Sequence, residues 1–198
     1  MQVLFLGPPH LELQHFLESC DDSVTTTEEK ITSGSEWLSD IDFIVSYRYR
    51  HILKQDVLSQ FLNRVINIHI SLLPWNRGAD PNLWSFLEDT PKGVTIHYID
   101  SGIDTGKILV QEVVSFTEHH TLRTSYEKLT QVAEALFKAN WLAIRDGKIQ
   151  PFSQVGEGSY HRTRDRAPYE HLLTQGWDTP VRNLIGKALK HPPTHLPS

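Results

Sequence analysis

The stretch VINIHISLLPWNRGADP, residues 65–81, decides how the chain is read. Its first half is a run of β-branched and apolar residues, the signature of a buried strand; its second half turns through Pro74, Gly78 and Pro81. Side chains alternate between the two faces of a strand, so Asn67 and His69 point to the same side. An amide and an imidazole on one face of a buried strand, just before a loop, need a reason to be there.

Outward from this strand, hydrophobic periodicity predicts an α/β fold. Residues 3–7 (VLFLG) and 40–46 (DIDFIVS) read as buried strands, the first stopped by Gly7-Pro8-Pro9. Residues 10–20 and 53–63 carry apolar residues near helical spacing, and 93–99 and 108–116 read as two more strands around the turn DSGIDTG. Strands alternating with helices predict a mostly parallel, doubly wound sheet flanked by helices. The clearest helix runs from Thr121 to Arg145, with an apolar stripe through Leu122, Leu129, Ala133, Phe137 and Ile144 and a stop at Gly147. Thr121 is one N-cap candidate, and Thr124 with Glu127 forms a competing capping box. After Pro151 the composition turns polar and rich in turn residues. The expected division is a catalytic domain over 1–150, a C-terminal extension over 151–190 and a disordered tail over 191–198.

Composition narrows the partners. With 198 residues, 39% hydrophobic and 22% charged, the chain is long enough for one substantial core. A net charge of −5 argues against nucleic acid, whose backbone recruits a basic surface. No apolar run reaches membrane-spanning length, and the first residues lack the features of a signal peptide, so a cytoplasmic protein is expected. A lone cysteine, Cys20, excludes an internal disulfide and suits a reducing compartment. Eleven histidines raise the question of metal, but none stands in a ligand-type spacing, and no metal is expected. Neither GxGxxG, a P-loop nor a G-x-S-x-G elbow occurs.

In an open parallel sheet, ligands bind in the crevice beyond the C-terminal strand ends. The 65–70 strand brings Asn67 and His69 near such an end, and DSGIDTG, following strand 93–99, could bring Asp104 to the same crevice. An imidazole moves protons, a carboxylate orients it and an amide N–H holds a developing oxyanion. The three together suit acyl transfer without a covalent nucleophile. The plainer alternative makes Asn67 and Asp104 turn or cap residues and His69 a satisfied core histidine.

NIHISLLPWNRGADP, followed by GVTIHYIDSGIDTGKI, resembles the formyltransferases that use N10-formyltetrahydrofolate. The resemblance covers roughly residues 1–150 and implies a Rossmann-like formyltransferase fold with catalytic Asn67, His69 and Asp104. It implies a folate co-substrate against Arg50, His51 and Ile52 on one wall and Tyr98, Ile99, Asp100 and Ile103 on the other. Among the family's classes, SYRYRHIL, NRGADPNLWSF and GSYHRTRD look most like the sugar N-formyltransferases, including those of the pseudaminic acid type. These act on nucleotide-linked deoxyamino sugars for lipopolysaccharide or flagellar glycans. On that reading Trp75, Asn76, Arg77 and Gly78, with Tyr160, His161 and Arg162 of the extension, contact the acceptor, and a homodimer is expected. Glycinamide ribonucleotide formyltransferases begin with a phosphate loop where this chain has GPPHLEL. Methionyl-tRNA formyltransferases and formyltetrahydrofolate hydrolases carry additional domains. The alternatives kept are glycinamide ribonucleotide or another small-molecule formyl transfer, and a non-catalytic folate- or nucleotide-binding module.

Overall fold

The computed structural model describes residues 1–188. The expected disordered tail, 191–198, lies outside the described residues. Strand β1 (Gln2–Leu6) leads through helix α1 (Leu11–Ser19) to β2 (Ser23–Thr27), and β3 (Phe43–Tyr47) through the short helix α2 (Gln55–Leu58) to β4 (Val65–His69). A two-residue strand β5 (Arg77–Gly78), helix α3 (Pro81–Leu87), strands β6 (Gly93–Tyr98) and β7 (Ile108–Val113), and the long helix α4 (Leu122–Arg145) follow. A second two-residue strand, β8 (Tyr160–His161), pairs with β5.

The main sheet has the order β2-β1-β3-β4-β6-β7. β1 to β4 run parallel, whereas β6 and β7 join antiparallel. The alternation seen in the sequence sorts the core into two layers. Val3, Phe5, Phe43, Val45, Ile66 and Ile68 face α1 and α4, burying Leu13, Leu17, Leu129, Phe137 and Trp141 with them. Leu4, Leu6, Ile44 and Val65 face the opposite way, against Ile31, Leu38, Leu53, Val57 and Phe61. A strand buried on both faces reads as a continuous apolar run, as β1 and β3 do.

Helix α4 begins at Thr121. Its hydroxyl accepts the Thr124 N–H (3.2 Å) while Thr124 accepts the Thr121 N–H (2.9 Å), so this cap prevails over the Thr124–Glu127 alternative. One expectation changes in extent, and one element appears that the sequence did not signal. The helix predicted over 53–63 is helical only at Gln55–Leu58, although Leu53, Val57, Leu58 and Phe61 are all buried. β2, with the sequence SVTTT, was not predicted. It is a half-exposed edge strand without an apolar run, and only its β-branched residues mark it.

The extension is packed onto the body. Phe152 exchanges two backbone hydrogen bonds with Ile108 (2.8 and 3.0 Å), and Leu172, Leu173, Val181 and Leu184 close a third apolar cluster with α3 and Leu122. No helix among the described residues is long and apolar enough to cross a membrane.

Asp22, at the entry to β2, ties this edge to the far end of α4. Its fully buried carboxylate accepts the Trp141 indole N–H (2.7 Å) and an Arg145 N–H (3.0 Å). Asp22→Ala leaves the buried Trp141 N–H unmatched, while Arg145 keeps the Cys20 carbonyl (2.9 Å), and is expected to lower unfolding free energy by about 1–3 kcal/mol in a denaturant titration. A loss below about 1 kcal/mol, the level of an exposed ion pair, would contradict this account.

Candidate active site

Register places Ser46 of β3, Asn67 of β4 and His97 of β6 side by side across the sheet. All three lie on the face that β4 shares with Val65. The second apolar layer covers that face at Leu6, Ile44 and Val65 but stops short of this row. There a cavity of about 410 Å³ opens, lined by Ser46, Asn67, His69, His97 and Asp104, with the 47–53 and 99–103 segments as walls.

Asp104 arrives by a route different from the one predicted. Because β6 is antiparallel to β4, its last residue, Tyr98, pairs with Ile66 toward the start of β4, not with its C-terminal end. The turn must therefore double back to bring Asp104 beside Asn67, and Asp104 takes a left-handed backbone (φ 53°) in doing so. A register shift between Ile96 and His97 interrupts the ladder with β7 at the same place. Such irregularities re-aim side chains next to sites.

The carboxylate of Asp104 is the meeting point. It accepts the Gly78 N–H at Oδ2 (2.8 Å) and the Asn67 amide at Oδ1 (3.3 Å). His69 Nδ1 lies 3.7 Å from Oδ2, and His97 Nε2 lies 3.4 Å from Oδ1. The His69 Nε2–H donates to the Asn76 carbonyl (3.1 Å), which leaves Nδ1 as the nitrogen able to take a proton. His97 donates Nδ1–H to the Tyr98 carbonyl (2.8 Å), and its Nε2 accepts from the Asn67 amide (3.4 Å). Both Asn67 contacts are at the long, weak end of hydrogen bonding, so its N–H groups remain available to a ligand oxygen. At Gly78 (φ 85°) a Cβ would collide with the His161 carbonyl, so glycine is required where the backbone N–H meets Asp104.

Burial lowers the His69 pKa; the Asp104 charge opposes this, and the net direction is down, giving a neutral imidazole near pH 7. For Asp104, burial alone would raise the pKa. The charge His69 carries when protonated, the His97 ring and the Gly78 N–H outweigh it and hold the carboxyl well below the usual carboxylate range. A neutral imidazole beside an ionised carboxylate is the state a general base requires.

Of the other residues singled out in the sequence, Arg50, His51, Ile52, Ile99, Asp100 and Ile103 line the cavity. Arg50, His51 and Ile52 take part in no backbone–backbone hydrogen bond among the described residues. Their backbone edges are thus not used by other backbone groups. Tyr98 lies instead on a separate surface cavity of about 480 Å³. Of the proposed acceptor contacts, only Gly78 lines this cavity, and Asn76 reaches His69 through its backbone carbonyl alone. Asn76 is fully buried and accepts from Thr90 Oγ1 (2.8 Å). The Arg77 guanidinium is held by Gln154 (2.9 and 3.1 Å). Trp75, Tyr160 and His161 line a different cavity beside Glu88. His161 stacks flat on Trp84 at 3.7 Å, a packing contact, and Arg162 sits over the Tyr160 ring at 6.0 Å. The sequence reading missed Ser46, His97, Tyr126 and Gln154 as members or neighbours of the site. His97 was visible only as one histidine among eleven, since its register with Asn67 depends on strand pairing.

Residues 21–140 match the formyl transferase family model. The chain is similar to the formyltransferase PseJ of Anoxybacillus kamchatkensis, crystallised with UDP-4,6-dideoxy-4-formamido-L-AltNAc and tetrahydrofolate. The two are 56% identical, with a TM-score of 0.93, over 95% of this chain and 100% of that one. It is 37% identical to the methionyl-tRNA formyltransferase of Thermodesulfovibrio yellowstonii over 120 residues, which are 60% of this chain and 39% of the relative. It is 28% identical to the GDP-perosamine N-formyltransferase of Brucella melitensis over 173 residues, 86% of this chain and 64% of the relative. The chain thus spans between 39% and 64% of these two curated relatives.

The electrostatics can be read by NMR titration of the ligand-free protein. His69 is expected to titrate below 6.5, and Asp104→Asn, which removes the opposing charge, should lower it further. The same depression means that the His69 contribution to stability is present above about pH 6.5 and lost as pH falls through the lower native value. Titration of His69 above 6.5 would overturn the assignment of burial as the dominant influence.

Proposed function

The chain belongs to the formyl transferase family, and from that premise we propose that it moves the formyl group of N10-formyltetrahydrofolate to the amino group of a nucleotide-linked amino sugar. The carrying observation is the convergence of Asn67, His69 and Asp104 on one cavity, in a chain 56% identical to PseJ over that protein's full length. The formyl donor supplies an acyl carbon already bonded to a nitrogen leaving group.

On this reading the acceptor's neutral amine attacks the formyl carbon directly. Asn67 N–H groups hold the oxygen on which charge develops. His69 takes the amine proton at Nδ1, beside Asp104 Oδ2, and returns it to the departing N10 nitrogen. The new carbon–nitrogen bond forms as the bond to N10 breaks, and no covalent enzyme intermediate is needed. Asp104 stays ionised throughout and favours the imidazolium while the proton rests there.

The folate side of the cavity is the wall formed by Arg50, His51 and Ile52, facing Ile99, Asp100 and Ile103. The acceptor side lies toward Tyr126, where a second cavity of about 250 Å³ adjoins the first. This neighbour is mainly apolar, with Leu83, Leu173 and Trp177 in its wall and Arg166 at its edge. Arg48 lies 5.9 Å over the Tyr126 ring from the first cavity. An aromatic wall flanked by arginines suits a base and its phosphates. This reading moves the acceptor's nucleotide away from Tyr160, His161 and Arg162.

The first assay is tetrahydrofolate release from N10-formyltetrahydrofolate with a panel of nucleotide-linked amino sugars, beginning with a UDP-linked 4-amino sugar. Asn67→Ala should lower kcat about 10²–10³-fold, and His69→Ala at least as much, with the fold retained by circular dichroism. Near-wild-type turnover by His69→Ala would refute the mechanism, and release with glycinamide ribonucleotide alone would refute the substrate class. Loss of a stacked base by Trp177→Ala should raise KM for the sugar nucleotide about tenfold and leave the folate KM unchanged. An unchanged sugar-nucleotide KM would remove the second cavity from the acceptor site.

A further inference from the structure

We propose that Gln154, a residue of the extension beyond the family-matched segment, is a positioning residue that fixes Asp104 against His69. The proposal rests on the catalytic reading above. The Gln154 amide is fully used. Its nitrogen donates to the Asp104 carbonyl (2.8 Å) and the Gly106 carbonyl (2.9 Å), and its oxygen accepts Nε (3.1 Å) and Nη2 (2.9 Å) of Arg77. The residue after Arg77 is Gly78, whose N–H holds the Asp104 carboxylate (2.8 Å).

These bonds close a ring. The loop after β4 grips the Asp104 side chain, and through Arg77 and Gln154 it also grips the Asp104 main chain. Asp104 needs such a grip because a non-glycine residue in the left-handed region persists only where its surroundings over-determine it. A carboxylate that drifted by an ångström would leave His69 unopposed in a buried site, and displacements of that size cost catalysis about a hundredfold.

Gln154→Ala removes the whole bridge. Gln154→Glu keeps an acceptor for Arg77 but removes both donors to the turn, so it preserves the anchor of the extension while releasing Asp104. Both variants are expected to lower kcat for formyl transfer by about 10–100-fold, with each KM within about threefold of wild type. In Gln154→Ala, which adds no charge, the acid limb of the kcat profile should move to lower pH, because Asp104 is the charge that supports the His69 imidazolium. The other groups facing His69 are His97 from β6 and, across the cavity, Arg48, Arg50, His51 and Asp100, and neither substitution changes them. In ligand-free protein, hydrogen exchange at residues 100–106 should speed up in both variants.

A purely structural role would lower the melting temperature and scale activity with the folded fraction, leaving the acid limb in place, and that result overturns the proposal. So does a kcat within twofold of wild type in Gln154→Glu, or unchanged exchange over 100–106. If the wild-type protein transfers no formyl group to any acceptor, the functional reading fails, and hydrogen exchange alone still decides whether Gln154 holds the turn.

Discussion

A carboxylate removed from bulk water stays charged only if donors and cations replace its hydration. Asp104 meets that condition through the Gly78 N–H and the Asn67 amide, joined by the His69 charge when that ring is protonated. Much of the surrounding architecture follows from it. β4 and β6 must pair in the register that sets Asn67 beside His97, and the chain at Gly78 must adopt a backbone that other residues avoid. The His69 ring is fixed in turn by the Asn76 carbonyl, and Asn76 is anchored through Thr90 and Ser159. The orientation of one ring thus depends on residues that do not line the cavity.

What the sequence revealed followed from the physics of single elements. Two-residue periodicity put Asn67 and His69 on one face, and the apolar stripe with its Thr121 cap marked α4. These signals are local, and local geometry enforces them. Which strand lies beside which is not local. The antiparallel turn of β6, the row Ser46–Asn67–His97 and the doubling back to Asp104 all come from pairing, and none leaves a mark in one strand's pattern. β2 escaped notice because an edge strand with three threonines has no apolar run.

The binding residues show a further limit. Asn76, Arg77 and His161 have the chemistry of ligand contacts, but here that chemistry is spent on other parts of the protein. His161 stacks on Trp84, Arg77 pairs with Gln154, and Asn76 is wholly enclosed. Aromatic and arginine side chains hold loops together by the same interactions that hold ligands, so residue type cannot separate the two uses. Tyr126 and Trp177, 51 residues apart in numbering yet in edge-to-face contact at 5.8 Å, line the cavity next to the triad.

The pairing of β5 with β8 also bears on how the molecule comes into being. Arg77 and Gly78 find their partners at Tyr160 and His161, far along the chain, whereas the strands carrying Asn67 and His97 can pair much earlier. A polypeptide emerging from its N-terminus can therefore build most of the sheet before the loop that holds Asp104 has anything to lean on. The Gly78 backbone that holds the Asp104 carboxylate is thus braced only once Tyr160 and His161 have been made.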